Sequence, residues 1–192
     1  MLRDLVLKNR SYRRFYQSEI ITETQLRDWV DLARNSASAR NAQPLRYFLS
    51  TGDPFNAIIF ENLTWAGYLT DWPGPEEGER PSAYILMLRE TLIPGHYLCD
   101  DGIASQSILL GATEAGFGGC IIHSVNRRKI HELLKLPEHL EIVQVLALGK
   151  PKETVVLDEI KNGEIKYWRD ENQVHHVPKR TLDEIIVKVS GQ

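Results

Sequence analysis

The most regular part of the chain, residues 103–148, reads IASQSILLGATEAGFGGCIIHSVNRRKIHELLKLPEHLEIVQVLAL. Apolar residues separated by small polar ones predict a helix over 103–115 that is apolar on nearly every side and therefore central. Gly116 then ends this helix. Hydrophobic periodicity predicts three further elements, namely a short strand over 118–122, an amphipathic helix over 127–136 and a buried strand over 142–148.

The residues before this region predict two helices and then two strands. A short helix begins at Leu2, and a second opens at Thr22, where Gln25 completes an S/T-x-x-Q capping box. Strands are predicted over 45–50 and 83–88. The resulting order lacks the strict strand and helix alternation of a doubly wound parallel sheet. We therefore expect an α+β fold, a sheet flanked by helices.

Length and charge suggest one domain and exclude two classes of partner. The chain has 192 residues and a formal net charge of −3, so residues 1–192 are expected to form a single domain. A basic surface for nucleic acid and an apolar span for a membrane are both absent, which predicts a cytoplasmic protein.

Residues 151–192 are more polar and are interpreted as a C-terminal extension, an arm that embraces the body or a partner subunit. Cys99 and Cys120, without CxxC spacing, are expected to be buried thiols.

A basic cluster follows the first helix and is the first candidate site. Arg10, Arg13 and Arg14 lie within five residues, with the hydroxyl of Ser11 between them. Planar guanidinium groups and a hydroxyl suit phosphate oxygens. A solvated basic turn explains the same residues, and the cluster by itself does not decide between the two.

A second candidate is the loop over 35–44, rich in small residues and amides. Ser38, Asn41 and Gln43 offer donors and acceptors to the edge of a heterocycle, although a plain connection between a helix and a strand uses the same residue types. The proline- and acid-rich segment 71–81 is predicted to be a flexible excursion and a candidate lid.

The last two candidates lie in the second half of the chain. The Gly-rich turn after Gly116 leads to a strand end, Ile122-His123-Ser124, whose backbone amides could face a ligand, but it contains neither GxGxxG nor a Walker motif. Lys179 and Arg180 form a late basic pair. His175 and His176 have no companion ligand at metal-binding spacing, so no metal site is predicted.

These four features, in this order, resemble the nitroreductase family of FMN-dependent oxidoreductases. The signature R-S-x-R-x-F is present as Arg10-Ser11-Tyr12-Arg13-Arg14-Phe15, and S-A-x-N-x-Q-P as Ser38-Ala39-Arg40-Asn41-Ala42-Gln43-Pro44. Further similarity lies at Asp101-Gly102, at Ala115-Gly116-Phe117-Gly118 and at Leu146-Ala147-Leu148-Gly149-Lys150-Pro151. The resemblance extends over residues 2–180.

The resemblance implies a nitroreductase-like central mixed β-sheet flanked by helices, with the C-terminal arm extending onto the partner subunit. It also implies a homodimer with FMN at the interface. Arg10 and Ser11 would lie near the phosphate and Arg13 near the flavin ring, with Lys179 and Arg180 adding to the phosphate site. The other subunit would supply Ser36, Ala37, Ser38, Asn41 and Gln43. The strand end, Ile121, Ile122, His123 and Ser124, would run along the flavin ring.

The implied activity is a two-step, ping-pong reaction in which NADH or NADPH reduces FMN and a nitroaromatic, quinone or similar small molecule is reduced in turn. No catalytic side chain is expected, because the cofactor carries the chemistry. Asn9 and Leu45 depart from the family pattern, which has Arg and Trp in many members. A non-catalytic FMN-binding protein, and a member with dehalogenase or another dehydrogenase activity, remain alternatives.

Overall fold

The computed structural model describes residues 1–94 and 98–191. Its helices are α1 (Leu2–Lys8), α2 (Glu23–Arg34), α3 (Phe55–Phe60), α4 (Asp100–Glu114), α5 (Arg127–Leu133) and α6 (Leu182–Ile185). Its strands are β1 (Phe15–Tyr16), β2 (Leu45–Ser50), β3 (Ala83–Glu90), β4 (Gly118–Ile122), β5 (Leu140–Pro151), β6 (Val155–Glu159), β7 (Trp168–Arg169) and β8 (His175–Lys179).

The longest strand, β5, organises a five-stranded sheet of order β1-β5-β3-β2, in which β4 also pairs with β5. Every strand pair of this sheet is antiparallel. Among the described residues, parallel pairing is confined to an isolated bridge between Ser11 and Gly119 and to β6 with β8 in a separate three-stranded sheet. The α+β class predicted from the sequence is confirmed. The central sheet, however, is antiparallel and not mixed as the resemblance implied, because its strand pairs in the described residues all run in opposite directions and Ser11 adds a single bridge instead of a parallel strand.

The middle of each central strand, β3 and β5, is largely apolar on both sides because helices cover both faces of the sheet. Side chains alternate between the faces along a strand, so Ile85 and Met87 pack with α2 and α4 on one face. Tyr84 and Leu86 pack on the other face, against Ile59 of α3 among others. The predicted buried strands are therefore correct, and β5 extends beyond the predicted 142–148 at both ends.

The α2 and α4 helices pack closely and form the scaffold of the site. The predicted capping box starts α2, where the Thr22 hydroxyl accepts a hydrogen bond from the backbone amide of Gln25 at 3.3 Å. A Cβ atom at Gly111 of α4 would lie 2.5 Å from a Leu32 methyl group of α2, so any larger residue there would displace the Leu32 side chain. The α4 helix begins at Asp100, three residues before its predicted start, because its first turn, Asp100-Asp101-Gly102, is polar and continues no apolar period.

The segment predicted to be a flexible excursion, 71–81, is packed over much of its length. Gly74 and Pro75 are buried. The Glu79 carboxylate pairs with Arg14 at 2.5 Å and with Lys152 at 2.8 Å, and its backbone carbonyl accepts a hydrogen bond from Phe15. These contacts fasten the C-terminal half of the segment to β1, so its description as a flexible excursion was wrong there.

The C-terminal extension, as far as β8, folds onto its own protomer. Arg169 of β7 forms an ion pair with the fully buried Glu153 side chain at 3.0 Å, and its guanidinium lies 4.2 Å above the Trp72 ring. Leu182, Ile185 and Val187 beyond this sheet are exposed. Of the arm predicted over 151–192, only the part after β8 is therefore free to contact another subunit. Gln192 lies outside the described residues.

One further expectation, the burial of both cysteines, requires correction. Cys120 is buried as predicted, but Cys99 is exposed, at the turn before α4. The sequence patterns did not predict α3, α6, β1 or the strands of the small sheet, because these elements are too short to show a period. Within residues 1–94 and 98–191, none of the helices combines the length and apolar character needed to cross a membrane.

Candidate functional site

A cavity of about 330 Å³, the basic cavity, lies between the segment after α1, the β4 edge and β8. Its cationic lining residues are Arg10, Arg13 and Lys179, and no aspartate or glutamate of the described residues lines it. Like charges repel one another, and an anion bound in the cavity would offset that repulsion. The cavity is therefore suited to an anion.

Backbone pairing with β4 places the N-terminal cluster. After α1 the chain becomes extended at Asn9, and Ser11 then bridges to Gly119, whose carbonyl accepts a hydrogen bond from Tyr12 at 3.0 Å. A Cβ atom at Gly119 would lie 2.6 Å from the Ala147 carbonyl oxygen, so this glycine is required for the close packing. Arg10 donates to the Val6 carbonyl at 2.7 Å, and its buried Nε has no hydrogen-bond partner among the described residues.

The Arg13 side chain is held inside the cavity by contacts on two sides. Its guanidinium lies 4.8 Å from the centroid of the Tyr167 ring, and Nη1 is 3.2 Å from Nε2 of His175. The neighbouring Arg14 side chain points away and pairs with Glu79, which lowers the pKa of Glu79 to about 2. Arg13 therefore faces the cavity and Arg14 is structural.

His175 contributes a neutral imidazole ring that sequence reasoning considered only as a metal ligand. Burial, reinforced by the charges of Arg13 and Arg169, lowers the pKa of His175 to about 4. Because Nε2 faces the Arg13 donor, it must accept, which assigns the ring proton to Nδ1. That Nδ1 is buried and has no partner in the described part of the chain. His175 therefore presents an unused donor beside the basic cavity.

Glu153 connects the N-terminal cluster to the small C-terminal sheet. Its carboxylate accepts hydrogen bonds from the backbone amides of Arg13 and Arg14 and pairs with Arg169. The side chain is fully buried, and Arg169 is the arginine whose guanidinium pairs with it. This one carboxylate fixes the backbone of the cluster relative to the C-terminal sheet, so it positions residues of the cavity without lining it.

The end of β4 borders an adjoining cavity of about 110 Å³, the aromatic cavity, which shares Arg13, Ile121 and Tyr167 with the basic cavity. Ile122, His123 and Ser124 line it together with Trp65. The Ser124 carbonyl accepts a hydrogen bond from Thr64 at 2.9 Å, which joins the strand end to the segment after α3. The predicted strand end and the N-terminal cluster therefore border one continuous region.

The loop over 36–43 lies at a separate cavity of about 160 Å³, the loop cavity, whose lining includes Ser36, Ala37, Ser38 and Gln43. The buried carboxylate of Asp100 accepts hydrogen bonds from the Ser38 hydroxyl at 2.6 Å and from the Ala39 amide at 3.0 Å. Asp100, which the sequence patterns did not single out, thereby shapes the loop. Burial and this carboxylate raise the pKa of Tyr47, another lining residue, to about 12.

Helix α4 separates the loop cavity from the basic cavity. Ala104 lines the loop cavity and Gln106 lines the basic cavity. At about 100° per residue, two positions two residues apart lie on opposite sides of a helix. Consistent with this, Ser107 hydrogen bonds to Ser36 at 2.7 Å, whereas Leu109 lines the basic cavity. The structure therefore does not bring the loop residues to the basic cavity within one protomer.

Two predicted residues line none of these cavities. Asn41 accepts a hydrogen bond from the Gln43 side chain at 3.1 Å, and Arg180 pairs with Glu184 at 3.7 Å. Lys179 and Arg180 are therefore not equivalent, although they are adjacent in sequence. No group of three or more metal-ligating side chains is present within 1–94 and 98–191.

Comparison with known proteins matches the nitroreductase family model to residues 98–150. A provisionally named NADH dehydrogenase/NAD(P)H nitroreductase of Methanothermobacter thermautotrophicus is 28% identical over 77% of this chain and 76% of its own. A nitroreductase family protein from Clostridium novyi NT is 26% identical, with a TM-score of 0.66 over 79% of this chain and 87% of that one. The resemblance to the nitroreductase family is confirmed.

The nitroreductase fold extends over the whole chain. A provisionally assigned nitroreductase from Desulfovibrio desulfuricans, solved in complex with FMN, has a TM-score of 0.72 at 19% identity and covers 100% of this chain and 98% of that one. The fold therefore includes the small C-terminal sheet that supplies His175 and Lys179. It also includes β4 and β5, which lie largely within the matched residues.

Proposed function

We propose that this protein is a homodimeric, FMN-dependent oxidoreductase formed by a single domain over residues 1–192. The observation that carries the proposal is the basic cavity, where three cations meet no carboxylate of the described residues and where Arg10 and His175 have unused buried nitrogens. Bound FMN would use these donors, with its phosphate at Arg10 and its ring on the side of His175, and its negative charge would offset the cations. The FMN bound by the Desulfovibrio desulfuricans protein, which has the same fold, supports this choice of ligand.

The residues divide into two roles around the flavin. Arg10, Ser11 and Lys179 would hold the phosphate, and the neutral Gln106 adds an amide to the same cavity. Arg13, held by Tyr167 and His175, would place positive charge beside the flavin ring and so favour the reduced, more negative ring. The backbone at Ile121, Ile122, His123 and Ser124 would run along the ring.

A second copy of the chain would supply the remainder of the site. Ser36, Ala37, Ser38, Asn41 and Gln43 are on the wrong side of α4 to reach the flavin of their own protomer, as the opposite placement of Ala104 and Gln106 indicates. Exposed apolar side chains at both ends of the chain provide surface for such pairing. They are Leu2, Val6 and Leu7 of α1 and Leu182, Ile185, Ile186, Val187 and Val189 near the C-terminus.

When bound, FMN would supply the hydride chemistry between NADH or NADPH as the donor and a small-molecule acceptor. The chain's own part is to position donor and acceptor in turn, a ping-pong sequence that needs no catalytic dyad. The name of the Methanothermobacter relative supports a nicotinamide donor, and use of that donor agrees with the predicted cytoplasmic location. Nitroaromatics and quinones are the proposed acceptors, with dehalogenation and other dehydrogenase reactions as competing outcomes.

A protein that holds FMN without turnover is the second candidate. It is favoured by Asn9, which lines the basic cavity as a neutral residue and hydrogen bonds weakly to Gln106 at 3.5 Å, where an arginine would add a cation. Leu45, the other departure from the family pattern, lines the loop cavity.

Absorption and anaerobic reduction distinguish these functions. The purified protein, saturated with FMN and desalted, is expected to be yellow and to bleach within seconds of adding NADH or NADPH under anaerobic conditions. Retained colour without bleaching by either nucleotide would identify the non-catalytic protein. A colourless protein after saturation would refute both functions, because the basic cavity would not be a flavin site.

A further inference from the structure

A fourth cavity, of about 200 Å³, lies between the β2–α3 connection and the start of β3, and we call it the β3 cavity. It shares no lining residue with the basic, aromatic or loop cavities. Its size exceeds that of the voids that hold one buried water. The proposed flavin site gives it no role.

Three buried polar atoms of this cavity's lining residues have no hydrogen-bond partner among the described residues. They are Nε of Arg80, the hydroxyl of Ser82 and the hydroxyl of Tyr84. The Tyr84 residue is only 1% exposed. Unpaired buried polar groups are costly and rare in native proteins, so three of them around one cavity indicate a missing hydrogen-bonding partner.

The unused edge of Arg80 is suited to a carboxylate. The guanidinium lies 4.4 Å from the centroid of the Phe60 ring, and the Arg80 backbone amide donates to Gln17 at 3.2 Å. Arg80 takes part in none of the ion pairs formed within the described part of the chain. Since Nε is unpaired, Nε–H and the adjacent Nη–H remain available as a planar fork, which matches the two oxygens of a carboxylate.

The other groups of the cavity restrict the ligand further. Burial raises the pKa of Tyr84, so its hydroxyl keeps the proton that it can donate. The exposed Asp53 also lines the cavity, and one of its oxygens accepts a hydrogen bond from Ala57 at 3.2 Å. Its negative charge opposes phosphate or another polyanion more strongly than a single carboxylate. Ala57 and Phe60 provide apolar wall for a short carbon chain.

We propose that the β3 cavity binds a small aliphatic monocarboxylate. The carboxylate lies on the Nε edge of Arg80 and accepts hydrogen bonds from the Ser82 and Tyr84 hydroxyls, and the alkyl chain packs against Ala57 and Phe60. This site is independent of the flavin proposal, because none of its residues lines the cavities assigned to FMN.

Arginine-side-chain NMR of the full-length, ¹⁵N-labelled protein, saturated with FMN, tests the site. Titration with propionate is expected to shift the Nε–H resonance of Arg80, assigned by its loss in Arg80→Lys, whereas the uncharged amide propionamide leaves it unchanged. Butyrate is expected to bind about fourfold more tightly than propionate, as one buried methylene predicts. Inorganic phosphate is expected to produce no saturable shift.

Variants separate the proposed contacts from general charge effects. Tyr84→Phe keeps the ring and removes one donor, and is expected to weaken propionate binding about fivefold to tenfold while leaving the fold intact. Arg80→Lys has no Nε–H resonance, so its propionate binding is measured by isothermal titration calorimetry beside the unaltered protein, and it is expected to be weakened at least as much because lysine lacks the fork. Arg128→Lys, at an exposed position on α5, serves as the matched control and should bind propionate like the unaltered protein.

Two results would overturn the inference. If the Arg80 signal does not respond to propionate or butyrate, the cavity holds solvent only. If it responds equally in the unaltered protein and in Tyr84→Phe, the carboxylate does not occupy the proposed position. Neither result bears on the flavin proposal, since visible absorption reports FMN in the same sample.

Discussion

Replacing Glu153 by Gln tests whether one buried carboxylate organises the basic cavity. The side chain is fully buried and serves two backbone amides and Arg169, whose side chain is only 8% exposed. Glutamine keeps the shape of the side chain but removes its charge. It also turns an NH₂ group towards groups that are themselves hydrogen-bond donors. Breaking a buried ion pair costs about 3–5 kcal/mol, and because glutamine can still accept from the amides we expect the lower value, about 3 kcal/mol.

The measurement is urea unfolding of the FMN-free protein, followed by far-UV circular dichroism at constant pH. A loss of about 3 kcal/mol corresponds to a decrease in melting temperature of about 6–12 °C for a chain of this size. Glu132→Gln is the matched control, because Glu132 pairs with Arg128 on the exposed face of α5, with side-chain exposures of 62% and 91%. It should change stability by less than about 0.5 kcal/mol.

A double variant separates loss of the ion pair from general damage. Glu153→Gln combined with Arg169→Gln removes both charges and is expected to regain part of the lost stability, since no unpaired buried charge remains. If Glu153→Gln and Glu132→Gln change the free energy of unfolding equally, Glu153 does not organise the site. If the double variant loses as much free energy of unfolding as the two single variants together, Glu153 and Arg169 are not coupled.

Three further expectations concern charge. The Arg14 guanidinium lowers the pKa of Glu79 from 4.5 to about 2, so Glu79 stabilises the fold above about pH 5 and loses that effect towards pH 2. The stability difference between unaltered protein and Glu79→Gln should accordingly shrink by about 2 kcal/mol between pH 6 and pH 3, measured by urea unfolding. Arg13→Ala should weaken FMN binding about tenfold in a fluorescence titration, and an unchanged affinity would remove Arg13 from the site. Lys179→Ala should release FMN at lower salt than the unaltered protein, as measured by dialysis; Arg180→Ala should behave like the unaltered protein, and a reversed order would contradict the cavity assignment.

The strongest local signals in the sequence predicted the scaffold. The capping box of Thr22 and Gln25 starts α2, and the long apolar runs form the central strands. These signals depend only on neighbouring residues, so the predicted helix and strands are present in the structure. The small sheet did not produce such a signal, because β6, β7 and β8 are short and partly polar and depend on contacts with Glu153 and Trp72.

Sequence motifs predicted the N-terminal residues of the candidate site. They did not predict the residues that the C-terminal extension adds to it. Arg10, Ser11 and Arg13 line the basic cavity that the R-S-x-R motif suggested. Tyr167 and His175 reach the same cavity from positions more than 150 residues away in sequence, a proximity that spacing along the chain cannot predict. Nor could spacing distinguish Lys179 from Arg180, because their surroundings differ only once β8 ends and α6 begins.

Subunit complementation tests most directly whether one flavin site uses two chains. Arg10→Ala disables the basic cavity of its own chain, and Ser38→Ala disables the loop on the opposite side of α4. A heterodimer of these two variants, isolated with two different affinity tags, should contain one intact site and bind one FMN, whereas each variant alone binds FMN weakly. If the heterodimer binds no more FMN than either parent, or if no dimer forms, the protein does not build one flavin site from two chains.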